Sequence, residues 1–150
     1  MSLSIGDTAP EFTLAGSGGK EYSLSDYAGQ PVVIVFYPGD DTPVCTKQLN
    51  SYNDELNRFT ELDAQVIGIS AQGVESHDKF SDKHGFDFPL LSDTDKAVAS
   101  SYGTLGPIGF PRRSVFIVDQ DGIVRYAHRA IAGLTYRPVK ELVAELEKLN

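Results

Sequence analysis

The stretch FYPGDDTPVCTKQL, Phe36 to Leu49, holds the one cysteine of this 150-residue chain. A thiol is a nucleophile only as thiolate, and positive surroundings such as a helix N-terminus favour that form. The spacing around Cys45 predicts such a place. Thr42 reads as an N-cap and Pro43 as the first helical residue, where a missing N–H costs nothing. Val44 then takes the second helical position and Cys45 the third. A threonine cap is expected to direct its oxygen to the amide of one of these two residues. In a capping box the third position holds Glu or Gln. With cysteine there, an anionic sulfur would face free amides and the positive end of the helix dipole. The competing reading is a buried structural cysteine, a common fate of free thiols. A core cysteine, however, needs neither cap nor dipole.

The surrounding elements would carry this turn at a sheet edge. PVVIVFYP is a continuous β-branched run, expected to be a strand buried on both faces. It ends at Tyr37-Pro38, which puts Cys45 at the carboxyl edge of the sheet, where α/β proteins place their sites. From Pro43 to Phe59, the residues Leu49, Tyr52, Leu56 and Phe59 recur at helical steps. Residues 11–30 read as two short strands around a Gly-Ser-Gly-Gly turn. AQVIGIS is a second buried strand, followed by a polar helix through His84 that stops at Gly85. FDFPLLSD predicts a short strand and DKAVASSYG a short helix. SVFIVDQDGIVRYAHRA reads as a hairpin turning at Asp121-Gly122. Val139, Leu142, Val143, Leu146 and Leu149 mark a closing amphipathic helix. The whole predicts one α/β domain over residues 1–150, with a mixed central sheet flanked by helices and an N-terminal β-hairpin.

Composition narrows the partners. A formal net charge of −8 argues against nucleic acid, which is bound by neutralising phosphates. No apolar run is long enough to cross a membrane, and no secretory leader is visible at the start. A lone cysteine suits a reducing, cytoplasmic setting. His77 and His84, seven apart with Asp78 and Asp82 nearby, read as a polar helix face, since a metal needs three or four converging ligands. The glycines at 16–19 lack the G-K-[ST] of a phosphate loop. Cys45 has no C-x-x-C partner.

PGDDTPVCT matches the P-x-x-x-T-x-x-C signature of peroxiredoxins, with Pro38, Thr42 and Cys45 in register. RSVFIVD, from Arg113, resembles the later strand on which that family carries its essential arginine. GDTAPEFTL is similar to the family's opening. SHDKFSDKHGFDFPLLSD is similar to its bacterioferritin comigratory (PrxQ) branch. The resemblance implies a thioredoxin-like fold and reduction of hydrogen peroxide or organic hydroperoxides, with Cys45 attacking the terminal oxygen to become sulfenic acid. It implies that the Thr42 hydroxyl holds the peroxide, that Arg113 stabilises thiolate and departing oxygen, that Pro38 shields the site, and that the amides of Val44 and Cys45 donate. No metal, haem, flavin or nicotinamide is implied. Arg112 adjoins Arg113 and must face the other way on a strand, so it reads as a solvated charge.

Two positions depart from the family pattern. Many members carry Glu where this chain has Gln48, which accepts a hydrogen bond from the arginine without balancing its charge. Either the cationic pull on Cys45 is stronger, or Arg113 is less firmly oriented. The second, resolving cysteine is also missing. Its two family positions fall on Asn50 and Ser81, so the chain is a natural one-cysteine form or carries a Cys→Ser replacement at residue 81. Reduction then needs an external thiol: thioredoxin, a glutaredoxin system or a small thiol. Monomer and homodimer both occur in this branch. A cysteine hydrolase would need a histidine base, but the resemblance puts His128 on a strand away from the site. The rival reading is a redox sensor that oxidises at Cys45 and signals to a partner with little turnover.

Overall fold

A computed structural model describes residues 3–40, 42–106, 109, 111–130 and 136–149. Its centre is one seven-stranded sheet. The strands are β1 (Thr13–Gly16), β2 (Lys20–Ser23), β3 (Val32–Phe36), β4 (Gln65–Ser70), β5 (Leu90–Ser92), β6 (Ser114–Val118) and β7 (Val124–Arg129), in the spatial order β2-β1-β5-β4-β3-β6-β7. β3 and β5 flank β4 in parallel, and every other pairing is antiparallel. The sheet is therefore mixed, with the expected N-terminal hairpin β1–β2 at one edge. The Asp121-Gly122 turn joins β6 to β7 at the other.

β3 is the central strand, and all five of its residues are buried. Successive side chains of a strand face opposite ways, which explains its unbroken apolar run. Val33 and Val35 pack toward α1 (Pro43–Asp54), together with Leu49 and Tyr52, and toward α5 (Val139–Glu147) through Leu142 and Leu146. Val32, Ile34 and Phe36 pack on the other side with Phe12, Tyr102 and Phe116, where α4 (Ala97–Ser101) adds Val98 and Ala99. α3 (Val74–His84) joins the first cluster through Phe80 and ends at Gly85, whose φ of 67° is left-handed. The Gly85 and Phe86 amides both donate to the Ser81 carbonyl there. A glycine fits that conformation at little steric cost.

One boundary differs from the sequence reading. The helix expected over Pro43 to Phe59 is two, because Glu55 leaves helical geometry (φ −114°, ψ 26°) before α2 (Leu56–Thr60) turns Phe59 into the core. No glycine or proline marks the break. A one-residue irregularity leaves the three-and-four spacing intact, so periodicity runs straight through it.

Candidate active site

The site grows out of the end of β3. The Tyr37 amide still donates to Ile69 of β4, and the chain then crosses the sheet edge to reach α1. α1 starts as its sequence dictates, with Thr42 flanking it in extended geometry and Pro43 as its first residue. The Thr46 N–H donates to the Thr42 carbonyl at 2.8 Å and opens the helical ladder. The amides of Val44 and Cys45 precede it and have no acceptor within the helix.

The cap differs from expectation. The Thr42 side chain does not accept from the first turn; its hydroxyl donates backward to the Gly39 carbonyl at 3.2 Å. Its hydrogen thus tightens the loop, and its oxygen lone pairs stay available at an exposed position. Pro38 is half-buried at the loop's start.

Cys45 has no exposed surface and packs among Val33, Val35, Tyr37 and Leu49. It is thus both the third residue of a helix and a member of the core, so the two readings drawn from sequence coexist at one position. Gln48, one turn on and on the same helix face, is also fully buried. Arg113, just before β6, is 3% exposed, and its Nη1 donates to Gln48 Oε1 at 2.7 Å. Gln48 Nε2 in turn donates to Tyr52 Oη at 3.0 Å, and Tyr52 donates to the Arg137 carbonyl at 2.7 Å. The structure therefore brings Arg113 to the helix face that carries Cys45 and orients it firmly through a neutral amide. Burial pushes the Tyr52 hydroxyl pKa up, against the opposing pull of the Gln48 bond.

Arg112 is not simply solvated: it is half-buried, and its Nε donates to the Ala130 carbonyl at 3.1 Å. His128 stands opposite Val115 on β7, near Arg137 and Glu141; burial first, then Arg137, lowers its pKa. Ser81 donates to the Phe86 carbonyl at 3.4 Å, and Asn50 lies 3.5 Å from His84 Nδ1.

His77 corrects the sequence reading most. Read as part of a polar helix face, it is wholly buried, with Nδ1 2.8 Å from Asp40 Oδ2 and Nε2 2.9 Å from the Leu91 carbonyl. His84 points elsewhere, stacked on Phe86. Among the described residues no three His, Cys, Asp or Glu side chains are placed to hold a metal ion. Tyr52 was also missed as a functional residue, because its ring completes the apolar stripe of α1 and only its hydroxyl is polar.

A sheet of this topology with a lone thiol in a helix's first turn, one turn from a buried arginine–glutamine bond, places the chain among cysteine-based redox proteins. Comparison narrows the class. Residues 5–127 match the AhpC/TSA family, and the chain belongs to it. It is 39% identical over 128 residues to the chloroplastic peroxiredoxin Q of Oryza sativa subsp. japonica, covering 84% of this chain and 59% of that one. The chain thus spans about three-fifths of the rice relative's length. Among solved structures, peroxidoxin BcpB of Mycobacterium tuberculosis superimposes with a TM-score of 0.90 at 32% identity, covering 99% of both chains. The bacterioferritin comigratory protein of Xanthomonas campestris, studied for its alkyl peroxide reduction activity, superimposes at 0.86 with 31% identity, covering 97% of this chain and 96% of that one. The fold is thioredoxin-like, and the chain is a one-cysteine peroxiredoxin similar to the peroxiredoxin Q and bacterioferritin comigratory branch.

Proposed function

We propose that the chain is a thiol-dependent peroxidase, acting as a single domain, that reduces hydrogen peroxide and alkyl hydroperoxides through Cys45. The observation that carries this is the position of Cys45 in the first turn of α1, one turn from the buried Arg113–Gln48 bond. The Cys45 thiolate attacks the terminal peroxide oxygen; an S–O bond forms as the O–O bond breaks. Sulfur is oxidised by two electrons, and the departing oxygen leaves with its electron pair to be protonated as water or alcohol. Arg113 and the amides of Val44 and Cys45 supply positive charge for the thiolate and for that oxygen. Thr42 offers lone pairs to the incoming hydroperoxide, and Pro38 covers the site. Gln48 holds Arg113 in place.

An external thiol then condenses with the sulfenic acid, releasing water, and a second thiol frees Cys45 from the mixed disulfide. Thioredoxin, a glutaredoxin system or a small thiol fits that role. A lone thiol that must return to the reduced state suits a reducing cytoplasm, where the chain works as a monomer or homodimer. The alkyl peroxide work on the Xanthomonas relative supports including organic hydroperoxides.

The test is one equivalent of hydrogen peroxide on reduced protein, followed by intact mass and a sulfenic-acid trap. Rapid stoichiometric sulfenic acid at Cys45 is expected, slowed on the order of 10²–10³-fold by Arg113→Ala. Oxidation no faster than that of a free cysteine refutes the reading. Adding candidate thiols and finding no turnover would instead favour the redox-relay role.

A further inference from the structure

At the loop that leads to Cys45 lies a buried polar cluster that the peroxidase chemistry leaves unused. It joins the loop between β3 and α1 to α3 and β5, elements far apart in sequence. Among the described residues, the charged and titratable groups facing the His77 ring are Asp40 from the loop and Tyr37 from the end of β3. α3 adds the Ser76 hydroxyl beside Asp40, and β5 adds the Leu91 carbonyl.

The partners of each ring nitrogen bear on the proton count. Leu91 offers a carbonyl, which only accepts, so Nε2 carries a hydrogen. Nδ1 faces Asp40 Oδ2 at 2.8 Å, with Tyr37 Oη a longer 3.4 Å away. The Tyr37 hydrogen is already given to Asp40 Oδ1 at 2.6 Å, and the Ser76 hydroxyl donates to Oδ2 at 2.7 Å. The Asp40 carboxyl accepts from both hydroxyls, an arrangement suited to the carboxylate, and a carboxylate only accepts, so the geometry points to Nδ1 as a second donor. Burial would raise the Asp40 pKa, but the bonds from His77, Tyr37 and Ser76 outweigh it and hold the carboxyl below its ordinary value. The Asp40 amide is fixed as well, donating to Gln72 Oε1 at 2.8 Å.

We propose that His77 and Asp40 form a buried imidazolium–carboxylate pair whose role is to position the active-site loop over Cys45. The proposal rests on the peroxidase reading and names a positioning residue for it. Asp40 lies two residues before Thr42 and two after Pro38, so the pair fixes the loop that presents both. Tyr37 links the pair to the thiol, for its ring packs in the same cluster as Cys45. Charge-assisted bonds are about twice as strong as neutral ones. An uncompensated carboxylate here would oppose a second negative charge on the sulfur nearby. The imidazolium therefore does two things: it straps the loop, and it cancels a charge.

The test reads both. Imidazole ¹⁵N NMR on the intact chain at neutral pH should show two ring N–H groups on His77. Asp40→Asn keeps the contact by donating to an unprotonated Nδ1 and should show one. His77→Gln leaves the carboxylate uncompensated and should slow sulfenic acid formation at Cys45 by roughly tenfold to a hundredfold. The double variant Asp40→Asn/His77→Gln removes that charge and should be faster than His77→Gln alone, a recovery that a merely structural contact would not give. One ring N–H in the wild type overturns the proposal. So does a His77→Gln rate equal to wild type, or a double variant no faster than the single. Should His77→Gln not fold, Asp40→Asn takes its place: it exchanges the charge-assisted bond for a weaker neutral one and should slow sulfenic acid formation several-fold, and an unchanged rate there overturns the proposal. A wild type no faster than a free cysteine defeats the peroxidase reading and this proposal with it, while the N–H count still reports separately on the pair.

Discussion

Tyr52→Phe removes one oxygen from the middle of the chain that orients Arg113, and its cost can be worked from the bonds on either side. Tyr52 donates to the Arg137 carbonyl, so it can only accept from Gln48 Nε2. That fixes the Gln48 amide with its oxygen toward Arg113. Without the hydroxyl, Gln48 Nε2 loses its partner in a position with no solvent exposure. A buried donor left unsatisfied costs about 1–3 kcal/mol. The Arg137 carbonyl belongs to a half-buried residue and can turn to water, so it adds less. The expected loss is therefore about 1–3 kcal/mol, a fall in Tm of about 2–4 °C per kcal/mol for a domain of this size. Urea unfolding should show a lower midpoint at an unchanged slope. The freed amide can also rotate and offer Arg113 its nitrogens. Peroxide oxidation of Cys45 should slow in parallel, though less than in Arg113→Ala. A loss below about 0.5 kcal/mol, the usual surface range, with an unchanged rate would refute the idea that Tyr52 sets the amide.

Other substitutions probe separate parts of the molecule. Gln48→Glu adds a carboxylate beside Arg113 and should move the pH dependence of Cys45 alkylation upward, since a nearby negative charge disfavours thiolate; no change would show that the neutral amide is electrically irrelevant to the thiol. Gly85→Ala meets no neighbouring atom but must adopt a φ of 67°, so it should destabilise by about 1–2 kcal/mol from backbone strain alone; calorimetry decides. Asp40 has a depressed folded pKa, so its contribution to stability is complete above the unfolded carboxyl value of about 3.9 and is lost as pH falls through the folded value. The stability gap between wild type and Asp40→Asn should therefore narrow as acid takes the pH below about 4. A constant gap would mean that the carboxylate contributes no linked proton.

The elements were legible because their signals are local. An unbroken β-branched run is a buried strand, as β3 is, and a glycine after a polar helix is a stop, as Gly85 is. The parity of Arg112 and Arg113 also followed from strand geometry, and only the second is buried. What escaped depends on chain paths. The Thr42 hydroxyl could bond forward to an amide or backward to a carbonyl, and the loop's course decided for Gly39. His77 looked like a solvated helix residue because its partners, Asp40 and Leu91, come from other elements. No period or motif links residues 40, 77 and 91. The Glu55 break was invisible because the hydrophobic stripe survives it.

The burial of Cys45 bears on the second half of the proposed cycle. A mixed disulfide needs sulfur atoms about 2.05 Å apart and Cα atoms within about 7 Å. A partner protein's backbone would therefore have to reach the first turn of α1. Cys45 has no exposed surface and packs among Val33, Val35, Tyr37 and Leu49. No protein thiol can meet those distances while that packing persists. The turn must open once sulfenic acid has formed, and its construction permits this. Its start is closed by the bond from the Thr46 amide to the Thr42 carbonyl, and Thr42 and Pro43 are exposed. Leu49 and Tyr52, by contrast, anchor the next two turns in the core. Opening is thus expected to stop between Cys45 and Leu49, at a fraction of the cost of global unfolding. Hydrogen exchange on peroxide-treated protein should show faster exchange at Thr46 with Tyr52 still protected. Equal protection of both after oxidation would mean that the thiol is reduced without α1 opening, and would leave only small thiols as reductants.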